Sequence, residues 1–437
     1  MHLSSFGKLP LRVSLRGLLA LLGALLFAGC VPRDDDGRTR LTFAVYGSLE
    51  QLKREEALVE AFEQANPDIE IDLLPITAGR FAEKIQAMFV GRVAPDVMML
   101  EFTYYHDWAA RGALLDLTPE ATELQADNPY MPLVQRAFTR DERYYALPIN
   151  FAGYVTYANV DAFKAAGIPY PKDGLTWQQI EELGPKLSRA AGNPEATTEY
   201  ALQMLDVVAP LWTFGGRIFD DLKHPTRVEV NSPATVEFLE FSRRVYRAPW
   251  AVPPSVRADH GNYQIFRDGL VALFIGGRWE TPNLLGRTNF TWDILPFPAG
   301  PAGPKPLHNG TGIAVSNDTR HPEAARRFAR FYASPESARI AMRGGRTVPP
   351  YRSLVYGSEF LHLPPEGSTR HLGRAMEHGA AEFFLYRPGA RPVRQILANR
   401  IEQAVEVQVY RPVEEIVSLL ETDLQRWLDR NGAPDAE

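Results

Sequence analysis

Short apolar stretches alternate with amphipathic runs through the first folded segment of the chain. Leu41-Thr-Phe-Ala-Val45 suits a buried strand, and Tyr46-Gly47-Ser48 breaks it. Leu52, Leu58, Val59 and Phe62 then fall on one helical face, and Asn66-Pro67 stops that helix. Ile69, Ile71 and Leu73 alternate as a second strand, and Phe81, Ile85, Met88 and Phe89 recur at the spacing of a second amphipathic helix. After Pro95-Asp96, Val97-Met-Met-Leu100 reads as a third buried strand. Strand, helix, strand, helix, strand predicts an α/β fold with a parallel sheet and right-handed crossovers. Ligands of such sheets sit beyond the carboxyl ends of the strands, which places Tyr46, Arg80 and Glu101 near one rim.

A different pattern precedes the first strand. Lys8, Arg12 and Arg16, with no acid among them, lead into an apolar run from Gly17 to Gly29. A basic region before a run of that length predicts a secretory signal over residues 1–29, and the run is too short to span a bilayer. It ends in Phe27-Ala28-Gly29-Cys30, which resembles the bacterial lipoprotein signal, in which the cysteine is lipidated and becomes the first residue. Residues 30–40 are then a polar, lipid-anchored linker. These features predict an extracytoplasmic protein of the periplasm or cell surface, anchored to a membrane through Cys30.

Composition narrows the reading. A chain of 437 residues, 45% hydrophobic and 23% charged, exceeds one ordinary core and implies two packed lobes. The formal charge of −6 offers no electrostatic footprint for nucleic acid. Cys30 is the only cysteine, which excludes a disulfide framework and a multi-cysteine zinc site. No G-x-S-x-G, H-E-x-x-H or P-loop occurs, and Gly310-Thr-Gly312 lacks the third glycine of a dinucleotide fingerprint. Glu377, His378 and Glu382 sketch a metal site, but charges at helical spacing are ordinarily a solvated face. Glu101 and Glu280 are the carboxylates a glycosidase reading would use.

Several motifs in order carry a resemblance: Ala61-Phe-Glu-Gln-Ala-Asn-Pro67, Ala94-Pro-Asp-Val97, Tyr145-Ala-Leu-Pro148, the run from Tyr157 to Ile168, and Thr176-Trp177. Gly269-Leu-Val-Ala-Leu-Phe-Ile-Gly276 and Asn309-Gly-Thr-Gly-Ile-Ala-Val315 continue it. The chain is similar to bacterial extracellular solute-binding protein family 1, the sugar-binding lipoproteins of ABC importers that include maltose- and glycerol-phosphate-binding proteins. The resemblance implies a two-lobed, type II periplasmic-binding-protein fold with parallel-sheet lobes joined by a hinge. It implies an N-lobe of residues 41–150 plus 297–346 and a C-lobe of 151–296 plus 347–437. It also implies a monomer without cofactor or catalysis, which captures a sugar or oligosaccharide by hinge closure and delivers it to ABC permease subunits. Alternatives are a receptor of the same fold for glycerol phosphate, a polyamine or a peptide, and a secreted glycoside hydrolase.

A sugar offers hydroxyl edges and flat C–H faces, so its site needs aromatic rings together with carboxylates, amides or guanidinium groups. Tyr46 and Glu101 end strands, and Asn150 sits in the first crossover. Trp279 follows a strand-like run and the pair Gly276-Gly277, and Glu280 flanks it. On an extended chain Arg278 and Glu280 point away from Trp279, so at most one set meets ligand. Gly312 marks backbone N–H groups open to a hydroxyl, and Arg346 offers a planar fork for vicinal hydroxyls. The family pattern adds Arg80 and Trp212 as ligand residues, while Tyr351 and Arg391 are weaker members of the set.

Overall fold

The computed structural model describes residues 37–431, apart from 48, 205, 223, 262, 344, 346, 366–368, 379, 382–388, 390 and 407–409. The signal, Cys30, Arg346 and Glu382 lie outside the described residues. Among those described, no helix is long and apolar enough to cross a membrane.

The opening α/β unit forms as its pattern predicts. β1 (Thr39–Tyr46) lies between β2 (Ile69–Ile76) and β3 (Val97–Glu101), parallel to both. The helices Leu49–Ala65 and Phe81–Val90 return the chain between them. Leu41, Phe43, Ala44 and Val45 are buried on both faces of β1, as a covered parallel strand requires. Phe43 and Phe62 pack edge-on against Phe328 of the helix Pro322–Tyr332, closing the first lobe's core.

Beyond β3 the sheet stops being parallel. β4 (Leu147–Asn159) pairs antiparallel with β8 (Leu307–Val315) over its first half and with β6 (Val271–Gly277) and β7 (Trp292–Leu295) over its second. β8 is also antiparallel to β3, and β5 (Tyr200–Met204) flanks β6 in parallel. The order is β2-β1-β3-β8-β4-β6-β5. The parallel-sheet expectation holds for β1–β3 and for β5 with β6, while the strands that cross between the lobes run antiparallel, giving two mixed sheets that share β4. Direction explains the difference. β1 and β3 point their carboxyl ends toward the second lobe, so a strand that returns from it must run against them, and the outgoing β4 must run against that return.

The second lobe packs Trp177 against Phe241 and Phe297, with its indole Nε1 donating to Thr213 Oγ1 at 2.8 Å. Thr176 caps the helix Trp177–Leu183 in a reciprocal pair with Gln179, as its position in the sequence suggests. The Pro/Gly-rich stretch 296–304 stays with this lobe. Ala299 bonds across to Leu175 and Trp177, and the Ala302 amide donates to the Thr213 carbonyl at 2.8 Å. β8 then carries the chain back between β3 and β4.

Beyond Arg346 the chain keeps contacts with elements around the first lobe. Val348 bridges to Phe151, Tyr351 bridges to Tyr130 and donates to the Ala333 carbonyl at 2.6 Å, and the helix Arg370–His378 packs on Pro132–Phe138. These are first-lobe partners. The chain rejoins the second lobe with the helices Arg391–Val405 and Val413–Asn431, which pack on Pro233–Arg247.

Candidate functional site

Residues paired across neighbouring strands share a face, and in this sheet the pairing draws one line across three strands. Glu101 of β3 pairs with Thr311 of β8, and Thr311 pairs with Asn150 of β4. The ladder shifts register between Pro148 and Asn150, which brings Asn150 opposite Thr311. Tyr46 joins the line from β1, with its hydroxyl 2.9 Å from Thr311 Oγ1. Its ring meets Phe81 edge-on at 5.0 Å. Tyr46, Asn150 and Thr311 line one small pocket beside Tyr332 and Thr347. Glu101 leaves β3 in extended geometry to open the helix Phe102–Ala110, and its side chain does not cap that helix. Arg80 is exposed at the end of the turn Ala78–Arg80, immediately before Phe81. The structure thus brings Tyr46, Glu101 and Asn150 together and sets Arg80 one residue from the ring that buttresses Tyr46.

Thr311, at the centre of this line, is not among the residues singled out from sequence. Gly312 is, and the structure turns it away. Gly312 pairs with Leu100 on one side and Pro148 on the other, and a Cβ there would stand 2.7 Å from the Phe138 ring and 2.9 Å from Ala146 Cβ. It is a packing glycine on the opposite face of the sheet.

Along β4, Asn150, Ala152 and Tyr154 alternate onto the same face, which carries the line into the second lobe. Tyr154 pairs with Gly277 of β6, and its ring meets Trp279 edge-on at 5.6 Å. Trp279 folds back over Gly277, where a Cβ would fall 2.2 Å from the indole; only glycine permits this placement. Trp279 is half-buried, while Arg278 and Glu280 are buried. The expected extended flank is instead a 3₁₀ turn, Arg278–Glu280. Arg278 enters the core and donates to Thr281 Oγ1 at 2.9 Å, and burial draws its guanidinium down to about 10. Glu280 accepts from Asn283 Nδ2 at 2.9 Å, in the helix Thr281–Leu284 that follows the turn.

Asp206 organises the rest of this wall. Its Oδ1 accepts from the Val208 and Ala209 amides at 2.7 and 3.0 Å, fixing the start of the turn Ala209–Phe214. Its Oδ2 accepts from the Tyr154 hydroxyl at 3.1 Å and pairs with Arg394. The Asp-Val-Val-Ala-Pro run is a recognisable turn signal; its bond to Arg394 is not, because the two are 188 residues apart. Trp212, carried on that turn, is half-buried and lines a separate pocket of about 170 Å³ with Arg217 and Phe219. Tyr351 is fully buried, and the Arg391 side chain is outside the described residues. The assembled row offers the rings of Tyr46, Tyr154 and Trp279, the Glu101 carboxylate, the Thr311 hydroxyl and the Asn150 amide, a mixture suited to hydroxyl-rich molecules.

Comparison with known proteins gives the family and the fold. Residues 46–339 match the family model described as bacterial extracellular solute-binding protein. The maltodextrin-binding protein MdxE of Bacillus subtilis is 24% identical over 330 residues, covering 73% of this chain and 75% of that protein. An uncharacterized lipoprotein in the oleD 5′ region of Streptomyces antibioticus is 25% identical over 366 residues, covering 79% of this chain and 77% of its own. The ABC substrate-binding protein Lmo0181 of Listeria monocytogenes, solved in complex with cycloalternan, superposes with a TM-score of 0.78. The two are 22% identical, and the match covers 90% of this chain and 99% of that one, which establishes the two-lobed fold.

Proposed function

The chain belongs to the bacterial extracellular solute-binding protein family, and from that membership we propose that it is the substrate-binding component of an ABC importer for a sugar or oligosaccharide. The observation that carries the reading is the continuous row from Tyr46, Glu101, Thr311 and Asn150 into Tyr154 and Trp279, laid along strands that pass from one lobe to the other. The Glu101 carboxylate accepts from hydroxyl edges, the Asn150 amide accepts and donates, and the exposed part of the Trp279 ring takes a C–H face. Similarity to a maltodextrin-binding protein supports a carbohydrate ligand.

Capture proceeds by closure. Ligand first meets one lobe; rotation about β4 and β8 then brings the other wall onto it, driven only by the ligand's stronger binding to the closed state. The closed protein docks on the permease subunits and releases its cargo with no bond broken. The lobes on this reading are residues 41–150 with 307–378, and 151–306 with 391–431. The mature protein is an extracytoplasmic monomer held to a membrane by lipidated Cys30, which the likeness to a lipoprotein supports. Mass spectrometry of the mature N-terminus should find a diacylglyceryl adduct on that cysteine, and an unmodified thiol would remove the anchor from the account. For the ligand, a thermal-shift screen over mono-, di- and oligosaccharides should find at least one that raises the melting temperature of the wild type, since a guest bound only by the folded state stabilises it. A panel without any such compound would refute the carbohydrate reading.

A further inference from the structure

Behind the crossing strands, on the face opposite Thr311, lies a cavity of about 470 Å³ that shares only Tyr154 with the row of the proposed cleft. Strand parity puts it there: His308 pairs with Gly153, and both stand on the face opposite Thr311 and Asn150. Val155 and His308 contribute to its floor, and Gly153 keeps that floor clear, since a Cβ there would lie 2.8 Å from the His308 ring. Phe297 and Ala299 form a wall from the second lobe. The facing wall is Leu372, on the helix Arg370–His378 that packs against the first lobe's Pro132–Phe138.

The lining chemistry narrows the guest. Among the described residues no lysine or arginine lines the cavity, and its one acid, Asp173, is exposed. Leucine, isoleucine, valine, proline and phenylalanine predominate, with Tyr154 shared with the row in front and polar groups from Thr176, Gln179 and the histidines. The volume falls within the range of small-molecule pockets, roughly 300–1,000 Å³. We propose that this cavity is a second ligand site, for a neutral, flat, largely apolar ring compound, and that its occupant favours closure of the cleft in front. The walls belong to different lobes, so rotation about β4 and β8 that shuts the front draws them apart at the rear. A guest seated between them holds them apart, and by linkage each ligand then raises the affinity of the other. The coupling rests on the hinge reading; the site itself does not.

The test uses the purified protein and the neutral fluorophore N-phenyl-1-naphthylamine. Its emission should rise saturably at one site per chain, and small-angle scattering should show a smaller radius of gyration at saturation. Ala299→Phe, which fills the cavity without touching the backbone bonds of that residue, should weaken the probe at least about tenfold. Leu372→Ala, which removes the facing contact, should weaken it by about threefold or more and carries the test should the larger side chain prevent folding. Emission that never saturates, or saturates equally in both variants, would overturn the site. Loss of the probe in Trp279→Ala would move it to the front cleft and overturn the site as well. Saturable rear binding with an unchanged radius of gyration would overturn the coupling. A radius that responds to no carbohydrate either would place that failure in the hinge reading.

Discussion

Gly277→Ala isolates what Trp279 does. Gly277 has φ −79° and ψ 149°, ordinary extended geometry that alanine adopts without strain. The added methyl carbon would stand 2.2 Å from three atoms of the indole. Carbon atoms settle at about 3.5–4.0 Å, so the ring must shift by a little over about 1 Å. A gap of that size forfeits roughly a quarter to a half of a dispersion contact, and an off-rotamer indole costs about 1 kcal/mol in the fold. A ring that stacks on ligand should then lose about 1–2 kcal/mol of binding, or roughly five- to thirtyfold in Kd, while the protein stays folded. Titration calorimetry with a ligand found by thermal shift gives the affinity, and near-ultraviolet circular dichroism reports the ring. An unchanged Kd beside a changed tryptophan signal would refute the role given to Trp279.

Three further substitutions probe the rest of the site. Thr311→Val keeps the shape but takes away the partner of the Tyr46 hydroxyl, and should cost about 1 kcal/mol of stability and about tenfold in affinity; wild-type affinity would remove Thr311 from the row. Asp206→Asn preserves an acceptor for the Val208 and Ala209 amides but turns an amide nitrogen toward Arg394. With the Asp206 side chain 5% exposed and Arg394 37%, thermal melts should show a loss of about 2–3 kcal/mol, and an unchanged melt would mean the pair contributes little. Gly312→Ala meets Phe138 and Ala146, so it should destabilise the fold by about 2 kcal/mol while the folded protein binds normally; selective loss of binding would return Gly312 to the cleft.

Local pattern made the first α/β unit legible. Its strands alternate or run apolar, its helices repeat every turn, and each is broken by glycine or proline, so Tyr46 and Glu101 could be placed at strand ends from sequence alone. Trp279 was legible through the glycines before it, although the reason is sharper in the structure: the ring lies on Gly277. What the chain hides is set by distant partners. Thr311 and Gly312 differ by one residue, and only pairing with β3 and β4 decides which shares the face of Glu101 and Asn150. A 3₁₀ turn replaces the extended flank expected around Trp279 and buries Glu280, a local geometry that alternation along a strand does not foretell. The antiparallel turn of the sheet depends on strands far apart in sequence, and the helix Arg370–His378 takes its place from contacts that its own amphipathic pattern does not encode.

Rotation of the lobes about β4 and β8 is the claim on which the rest stands, and small-angle scattering with and without a stabilising carbohydrate measures it most directly. The radius of gyration should fall when that ligand saturates the protein. A ligand that raises the melting temperature yet leaves the scattering curve unchanged would contradict capture by closure.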